Sequence, residues 1–382
     1  MESLKIQIIR SREALRTFRG AWEAFAGKDF PELVNSFPWQ WYALAGHHPH
    51  GDLHVVVFRE EQRLRGILPL CRVRSTFSRM PVWKYCCPEP HIGQTTPLIP
   101  PEHILGCFQR WWERQEYFPT DFHLINFALS PDQCTALEPF WQHLEREGLA
   151  VRFIPKSIRF LEVSSREHFW NEVLNKHRRK EFRRIQKHLQ SQFTVQVFSP
   201  EAHTLAADFQ ALWERFLRLY RRSWKHRSPR SLTRNPAEAK FFRSLIEDFA
   251  ARRQTRAFFL TLDEQDAAAV WWIVHRGAVY GLQTAYDARW QAYSPGLYLL
   301  QRSLLSLLEQ GYQRINYMGA QPYKAWLSNR EAPYLGGYIF NRGWYPQLLH
   351  RFSPWARRHL KSITALDPGQ FREPSEQKGE WI

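Results

Sequence analysis

The spacing of hydrophobic positions switches repeatedly between a period of two and the helical period, which predicts short strands interleaved with helices. In the first 150 residues, strand-like runs lie at 5–9, 53–58, 64–71 and 122–128, and helix-like runs at 11–26, 103–116 and 131–147. Residues 81–101 contain several prolines and are interpreted as irregular. This half therefore predicts a domain of mixed α/β type.

The second half repeats this mixture with more clearly bounded elements. Strands are predicted at 158–163, 193–198, 257–262, 268–275, 278–286, 314–318 and 334–341, and helices at 201–222, 236–252 and 295–310. Ser164-x-x-Glu167 has the form of a capping box, and Ser294 suits the N-cap of the helix that Gly311 ends. We predict an α/β chain with mixed α+β sheets, divided into 1–155, 156–345, and a basic helix with a polar tail over 346–382.

Composition adds a preference for negatively charged partners. A chain of 382 residues with 44% hydrophobic residues is long enough for two cores. The net charge of +16 favours nucleic acid, a phosphorylated cofactor or an anionic membrane surface. The five cysteines are odd in number and lack C-x-x-C spacing, so neither a disulfide framework nor a zinc site is expected.

Targeting signals are not evident in the sequence. The first residues lack a signal-peptide core, and no run of about 18 apolar residues occurs, so we expect a cytoplasmic protein without a transmembrane segment. A short basic helix at 353–361 leaves peripheral membrane association open. The His47-His48-Pro49-His50 segment is interpreted as a loop, and no metal site is predicted.

The richest stretch for chemistry runs from Tyr286 to Lys324. Three strands lead into Ser294-Pro295-Gly296 at the start of a helix, where free backbone N–H groups can bind phosphate. Taken alone, the tripeptide is better explained as a helix cap than as a phosphate site. Its place after three strands and before another strand favours the phosphate-binding interpretation.

Seven short motifs in order resemble those of the CelD/BcsL-type acyltransferases, a branch of the GNAT (acetyl-CoA-dependent N-acetyltransferase) superfamily. They are Ser36-Phe37-Pro38-Trp39, Gly66-Ile67-Leu68-Pro69-Leu70, an Arg-rich helix, Ser223-Trp224-Lys225, Tyr286-Asp287, Ser294 to Leu299, and Tyr323-Lys324. The resemblance implies tandem GNAT-like domains and a bound acetyl-CoA or other acyl-CoA. It also implies that Ser294, Pro295, Gly296 and Leu297 lie at the pyrophosphate, with the pantetheine arm between the strands that carry Tyr286 and Asn316.

The sequence departs from the family at the catalytic end. Asn316 stands where the family commonly has an aspartate, and an amide cannot act as a general base. Asp287 is the nearest remaining carboxylate, although it also suits a turn cap. Tyr286 and Tyr323 are candidate acids for the leaving thiolate, and Lys324 is a candidate cation for a phosphate or carboxylate.

Basic residues provide the remaining candidates. Residues 175–187 contain seven Lys or Arg, and Phe182, Ile185 and Leu189 are expected to be their buried stripe. Arg178 and Arg179 are candidates for cofactor phosphates, whereas Arg183, Trp224 and Lys225 are candidates for the acceptor.

Three functions remain open on the sequence. The first is acyl transfer from acyl-CoA to an anionic or sugar-containing acceptor, such as an envelope polysaccharide precursor. The second is a Fem-type transferase that uses aminoacyl-tRNA, which the positive charge would suit. The third is a non-catalytic GNAT-like scaffold, which Asn316 would suit.

Overall fold

The computed structural model describes residues 4–44, 51–77, 80–88, 95–114, 122–228 and 231–352. The expected histidine loop at 47–50, the basic helix at 353–361 and the polar tail lie outside these ranges. One sheet contains all twelve strands. These are β1 (Leu4–Ile9), β2 (Asp52–Glu60), β3 (Arg63–Phe77), β4 (Met80–Cys86), β5 (Leu124–Leu129), β6 (Ala150–Glu162), β7 (Val195–Phe198), β8 (Thr255–Leu262), β9 (Gln265–His275), β10 (Ala278–Tyr286), β11 (Arg314–Asn316) and β12 (Arg330–Phe340).

The helices cover both faces of the sheet. They are α1 (Arg12–Thr17), α2 (Arg19–Asp29), α3 (Phe37–Tyr42), α4 (Pro101–Glu113), α5 (Pro131–Ala136), α6 (Glu138–Arg146), α7 (Arg166–His168), α8 (Lys176–Gln192), α9 (Ala202–Ala207), α10 (Phe209–Arg222), α11 (Pro236–Ala251) and α12 (Pro295–Glu309). Residues 344–352 are also helical. None of the helices in the described ranges is long and apolar enough to cross a membrane. The predicted mixed α/β architecture is confirmed.

The strand order reads the same from either edge of the sheet. From one edge it runs β1-β2-β3-β4-β5-β12, and from the other β7-β8-β9-β10-β11-β6. When the halves are counted as β1–β6 and β7–β12, each half keeps five strands together and receives its sixth from the other half. The strands β6 and β12 meet in the middle as an antiparallel pair that extends from Arg330↔Phe160 to Phe340↔Ala150. The residues on either side of the proposed boundary, 155 and 156, both lie within β6.

Helices pack on each face of each half. In the second half, α9 to α11 cover one face together with residues from the segment 33–43 of the first half. The other face is covered by α8 and α12. Phe182, Ile185 and Leu189 of α8 are buried there, as the sequence predicted. The two halves therefore share hydrophobic core as well as strands.

Several predicted element boundaries are wrong. The stretch 81–101 contains β4, which the prolines obscured. The predicted helices 11–26, 131–147 and 201–222 are each two helices, interrupted at Phe18, Leu137 and Asp208. Strands β6 and β12 begin earlier than predicted because much of their length is only half-buried.

Both predicted caps also differ from the structure. Ser165, rather than Ser164, caps α7 by accepting a hydrogen bond from the backbone of His168. Ser294 precedes α12 in the left-handed conformation, with φ of 53°, and its side chain makes no capping hydrogen bond. Helix α12 therefore begins without the side-chain cap that the sequence predicted.

A half-buried carboxylate joins the first half to the second. Glu32 accepts a hydrogen bond from the Tyr280 hydroxyl at 2.9 Å and from Arg314 at 2.8 Å. The Asn316 side-chain amide donates to the same carboxylate at 3.3 Å. Three groups at the β10–β11 pair are thus satisfied by one residue from the chain's N-terminal segment.

We predict that Glu32→Ala lowers the free energy of unfolding by about 1–3 kcal/mol, because three polar partners lose their acceptor. Urea unfolding of the variant and the wild type measures this change. Glu23→Ala is the matched control, since Glu23 pairs with Arg19 on an exposed helix surface, and such pairs contribute less than about 1 kcal/mol. Equal losses in the two variants would contradict the assignment of Glu32 as a link between the halves.

Candidate functional site

A cleft opens between β10 and β11. These strands are parallel and pair only from Ala278↔Arg314 to Tyr280↔Asn316. Beyond this point β10 continues along β9 to Tyr286, with a bulge between Gly281 and Gln283. The chain after β11 instead follows β6, because the Tyr317 N–H donates to the carbonyl of Arg159 at 3.1 Å. The two arms diverge and leave the end of β10 without a partner on that side within the described structure.

Each arm of this cleft carries a lysine ammonium group. On the β10 arm, Lys225 donates to the Thr284 carbonyl at 2.8 Å and to the Thr284 hydroxyl at 3.0 Å. On the other arm, Lys324 donates to the Tyr317 carbonyl at 2.6 Å and is 8% exposed. Within the described ranges, neither lysine has an acidic partner at ion-pair distance. The two lysines therefore place positive charge in a partly desolvated site, and the described residues provide no counter-ion for it.

Burial changes the acidity of both groups. It lowers the pKa of Lys225 to about 8. For Lys324, burial and then the repulsion of Lys225 lower the pKa to about 7. Lys324 therefore titrates near neutral pH, whereas Lys225 keeps its proton to higher pH.

Tyrosine hydroxyls complete this part of the cleft. Burial raises the pKa of Tyr323 to about 12, even though the Thr284 side chain within hydrogen-bonding reach lowers it. Tyr323 is 40% exposed overall, and the Lys324 ammonium lies 5.8 Å from its ring centroid. Tyr317 is fully buried and donates to the Leu327 carbonyl at 2.7 Å. Tyr323 is thus a protonated hydroxyl close to Thr284 and Lys324.

Asp287 is occupied by arginines. Its carboxylate accepts from the Arg289 guanidinium at 2.8 and 3.0 Å and lies 3.7 Å from Arg222. Burial raises its pKa, but the hydrogen bonds and charge of Arg289 and the charge of Arg222 outweigh this, and the net pKa is lowered. Asp287 also caps the 3-10 helix Ala288–Tyr293 by accepting from the Arg289 backbone. Its geometry fits the turn-cap interpretation better than that of a general base.

Asn316 has a structural environment that sequence reasoning missed. Its side-chain oxygen accepts from the Met318 backbone at 2.8 Å, and its amide donates to Glu32. A carboxylate therefore does lie next to Asn316, but it is that of Glu32, from the first half of the chain. Only the fold reveals this, since 284 positions separate Glu32 from Asn316 in the sequence.

The start of α12 is tightly packed on Tyr286. A Cβ added at Gly296 would lie 3.0 Å from Cδ1 of Tyr286, which explains a glycine there without a ligand. The absence of a capping side chain at Ser294 leaves the first turn, with Pro295, Gly296 and Leu297, uncapped at its N-terminal end. This end of the helix lies just beyond the open end of β10.

Two of the arginine candidates stabilise local structure. Arg179 donates to the carbonyls of Trp170 and Asn171, at the end of the preceding turn. Arg178 donates to the Ala325 carbonyl at 2.8 Å and lies over the Trp326 ring, so it joins α8 to the Pro322–Trp326 turn that carries Lys324. Arg183 lies over the Trp170 ring.

Trp224 remains half exposed beside Lys225. The structure thus brings Lys225, Thr284, Tyr323 and Lys324 together and places Arg179 and Arg183 at Trp170. In the described ranges, no cluster of three or more His, Cys, Asp or Glu side chains has the arrangement of a metal site.

We predict that burying Lys324 makes stability depend on pH. The folded chain holds this pKa near 7, against 10.5 in its ordinary state, so between these values the unfolded chain binds more protons. The destabilisation is complete below about pH 7 and disappears as the pH rises toward 10.5. The melting temperature of Lys324→Met minus that of the wild type should therefore fall between pH 7 and pH 10. For the exposed Lys240→Met variant, the difference in melting temperature from the wild type should not change with pH. The same pH-independent difference for Lys324→Met would contradict the prediction.

Residues 176–325 match the family model described as the acetyltransferase (GNAT) domain. No curated protein matches the chain by sequence. Among solved structures, the crystal structure of FemX is similar with a TM-score of 0.58 at 8% identity, over 91% of this chain and 99% of that one.

Two further structures share the fold. A tandem GNAT protein from the clavulanic acid biosynthesis pathway gives a TM-score of 0.51 at 12% identity, over 89% of this chain and 99% of that one. A conserved protein of unknown function from Bacteroides thetaiotaomicron gives 0.50 at 11% identity, over 88% and 100%. The two halves of the sheet, the match over 176–325 and these likenesses together show a tandem GNAT-like fold whose second half carries an acetyltransferase domain of the GNAT type.

Proposed function

We propose that the protein is an acyl-CoA-dependent N- or O-acyltransferase whose active site is the cleft between β10 and β11. The observation that supports this most directly is the divergence of these strands after three paired positions, with Lys225, Lys324 and Tyr323 on the two arms. An extended thioester ligand can lie along the unpaired edge of β10. The reactive groups would then surround its acyl end.

The residues present fit an acyl-CoA. Ser294, Pro295, Gly296 and Leu297 would hold the pyrophosphate, because the α12 N-terminus lacks a side-chain cap and lies beyond the open end of β10. Arg178 and Arg179 are already engaged with backbone carbonyls, so we assign them to the positioning of α8 and the Lys324 turn. When bound, acyl-CoA supplies an activated acyl group.

The chain's own groups divide the proton transfers between them. Neutral Lys324 accepts the proton of the acceptor amine or hydroxyl, since its pKa of about 7 suits a base at neutral pH. Tyr323, protonated with a pKa of about 12, donates the proton that the departing thiolate takes up. Tyr286 packs under Gly296 and shapes the cofactor end. Asp287 and Asn316 hold structure through Arg289 and Glu32.

The finer assignment rests on the seven CelD/BcsL-type motifs. Three of them, containing Lys225, Tyr286 and Lys324, converge on the cleft in the folded chain. We therefore propose a CelD/BcsL-type transferase that acts on an envelope polysaccharide precursor or on another anionic or sugar-containing acceptor. Trp224, half exposed beside Lys225, offers a ring for stacking on a sugar.

Aminoacyl-tRNA is the second candidate donor. The observation in its favour is the exposed face of α8, where Lys176, Lys180, Arg183 and Lys187 follow one helical stripe. Phosphate contacts from such a stripe would make binding strongly dependent on salt. Titration calorimetry with acetyl-CoA and with aminoacyl-tRNA separates the two donors. Salt-sensitive tRNA binding without CoA binding would support the Fem-type function, and binding of neither would support the scaffold.

We expect Gly296→Ala to weaken acetyl-CoA binding about tenfold, because the added methyl group forces Tyr286 and the start of α12 apart. Calorimetry measures the dissociation constant. Gly20→Ala is the control, since no atom lies within 4 Å of its added Cβ. Unchanged affinity in Gly296→Ala would place the cofactor elsewhere.

We expect Lys324→Met to lower kcat/KM about 10²- to 10⁴-fold, the usual contribution of a general base. In the wild type, the rate should fall tenfold per pH unit below about pH 7, because Lys324 becomes protonated. The release of CoA thiol as a function of pH measures both effects. A variant that keeps the acidic limb of the profile would exclude Lys324 as the titrating group.

A further inference from the structure

The lysine pair poses an electrostatic problem that the described residues do not solve. Lys225 and Lys324 are close enough for mutual repulsion, Lys324 is buried, and Lys225 is half-buried. Their hydrogen-bond partners in the described structure are two carbonyls and one hydroxyl, all neutral. Buried charges in proteins are ordinarily paired, so an unneutralised pair indicates either a proton loss or an anionic ligand.

The two lysines are not equivalent. Lys324 makes one hydrogen bond in a site that is 8% exposed, and it is the group that can lose its proton. Lys225 is half-buried and is held by both oxygen atoms of Thr284, which fixes its ammonium group at the edge of β10. It therefore keeps a cation oriented in the cleft.

Among the residues that the structure describes, the two carboxylates near the cleft already have partners. Asp287 is the nearest carboxylate in sequence to Thr284, and it is engaged by Arg289 and Arg222. Glu32 is engaged by Arg314, Tyr280 and Asn316. Two arginines share one aspartate at the β10 end, so that contact leaves a further positive charge at the cleft.

We propose that Lys225 binds a carboxylate group carried by one of the two substrates. This inference rests on the proposed acyltransferase function and names the chemistry of a substrate at the same site. The Lys225 ammonium, anchored by Thr284, donates its remaining N–H to the carboxylate, while Lys324 across the cleft stays available for proton transfer. The half-exposed Trp224 ring next to Lys225 flanks the same position. The carboxylate belongs either to the acceptor, as in an amino acid, or to the acyl group, as in a dicarboxylic acyl-CoA.

The test compares charged and neutral forms of the same probe. In the donor arm, calorimetry measures succinyl-CoA against butyryl-CoA. In the acceptor measurement, the protein saturated with acetyl-CoA transfers the acetyl group to a panel of amino acids and their amides, and the CoA thiol released from the thioester is measured. We expect either the donor or the acceptor measurement to show a preference of about 10- to 100-fold for the carboxylate probe over the neutral probe. This is the range for hydrogen bonds to charged groups.

The variants assign that preference to a residue. Lys225→Met should abolish the preference by raising KM or Kd for the carboxylate form more than for the neutral form. The exposed Lys240→Met should keep the preference. Circular dichroism checks that Lys225→Met is folded, and Lys225→Arg, which retains the charge, should restore part of the preference.

The outcomes separate this inference from the proposed function. If no acyl-CoA binds, the acyltransferase function fails. If acyl-CoA binds but neither the donor nor the acceptor measurement distinguishes charged from neutral probes, the carboxylate assignment is wrong while the function stands. The same holds if Lys225→Met reduces turnover of both forms by one factor.

Discussion

The exchange of β6 and β12 is the constraint on which the rest of the molecule depends. Each strand completes the sheet of the half that did not encode it, and the eleven paired positions between them join the halves into one sheet. Neither half has a separate set of six strands. The position of β11, and hence the opening beside β10, follows from its pairing with β6.

The cleft arises because β11 pairs with β10 on one side and with β6 on the other, and only the second pairing continues. Over three positions β11 pairs with both β10 and β6, and the chain then stays with β6. This leaves backbone groups of β10 facing a gap rather than a neighbouring strand, an arrangement normally avoided inside a sheet. Lys225 and Lys324 each satisfy one carbonyl at this gap, Thr284 on one side and Tyr317 on the other. The same lysines thus support the backbone and supply chemical groups.

Much of this arrangement could be predicted from local sequence. The β8–β9–β10 strands and α12 were predicted to within about three residues at each end, because buried strands and a helix that stops before Gly311 leave strong local patterns. Lys225 and Lys324 were selected from short motifs. The partners Thr284 and Tyr317 were not, since backbone carbonyls carry no sequence signal.

Long-range contacts explain the rest. Glu32 lies in a segment without unusual composition, and its contact with Asn316 depends on how the two halves pack. Ser294 has the residue type of an N-cap, yet the left-handed backbone at this position turns its side chain away from that role. The roles expected of Asp287 and Arg179 require side chains without other partners. In the folded chain Arg289 binds the Asp287 carboxylate, and Arg179 donates to a backbone carbonyl.

The exchanged strands also impose an order on synthesis at the ribosome. The strand β5 is complete once Leu129 has been made, but its partner β12 begins 201 positions later, at Arg330. During this interval the nascent first half presents an apolar, unpaired strand edge, which is the kind of surface that aggregates or recruits chaperones. Translation speed through the second half therefore sets how long that edge stays exposed.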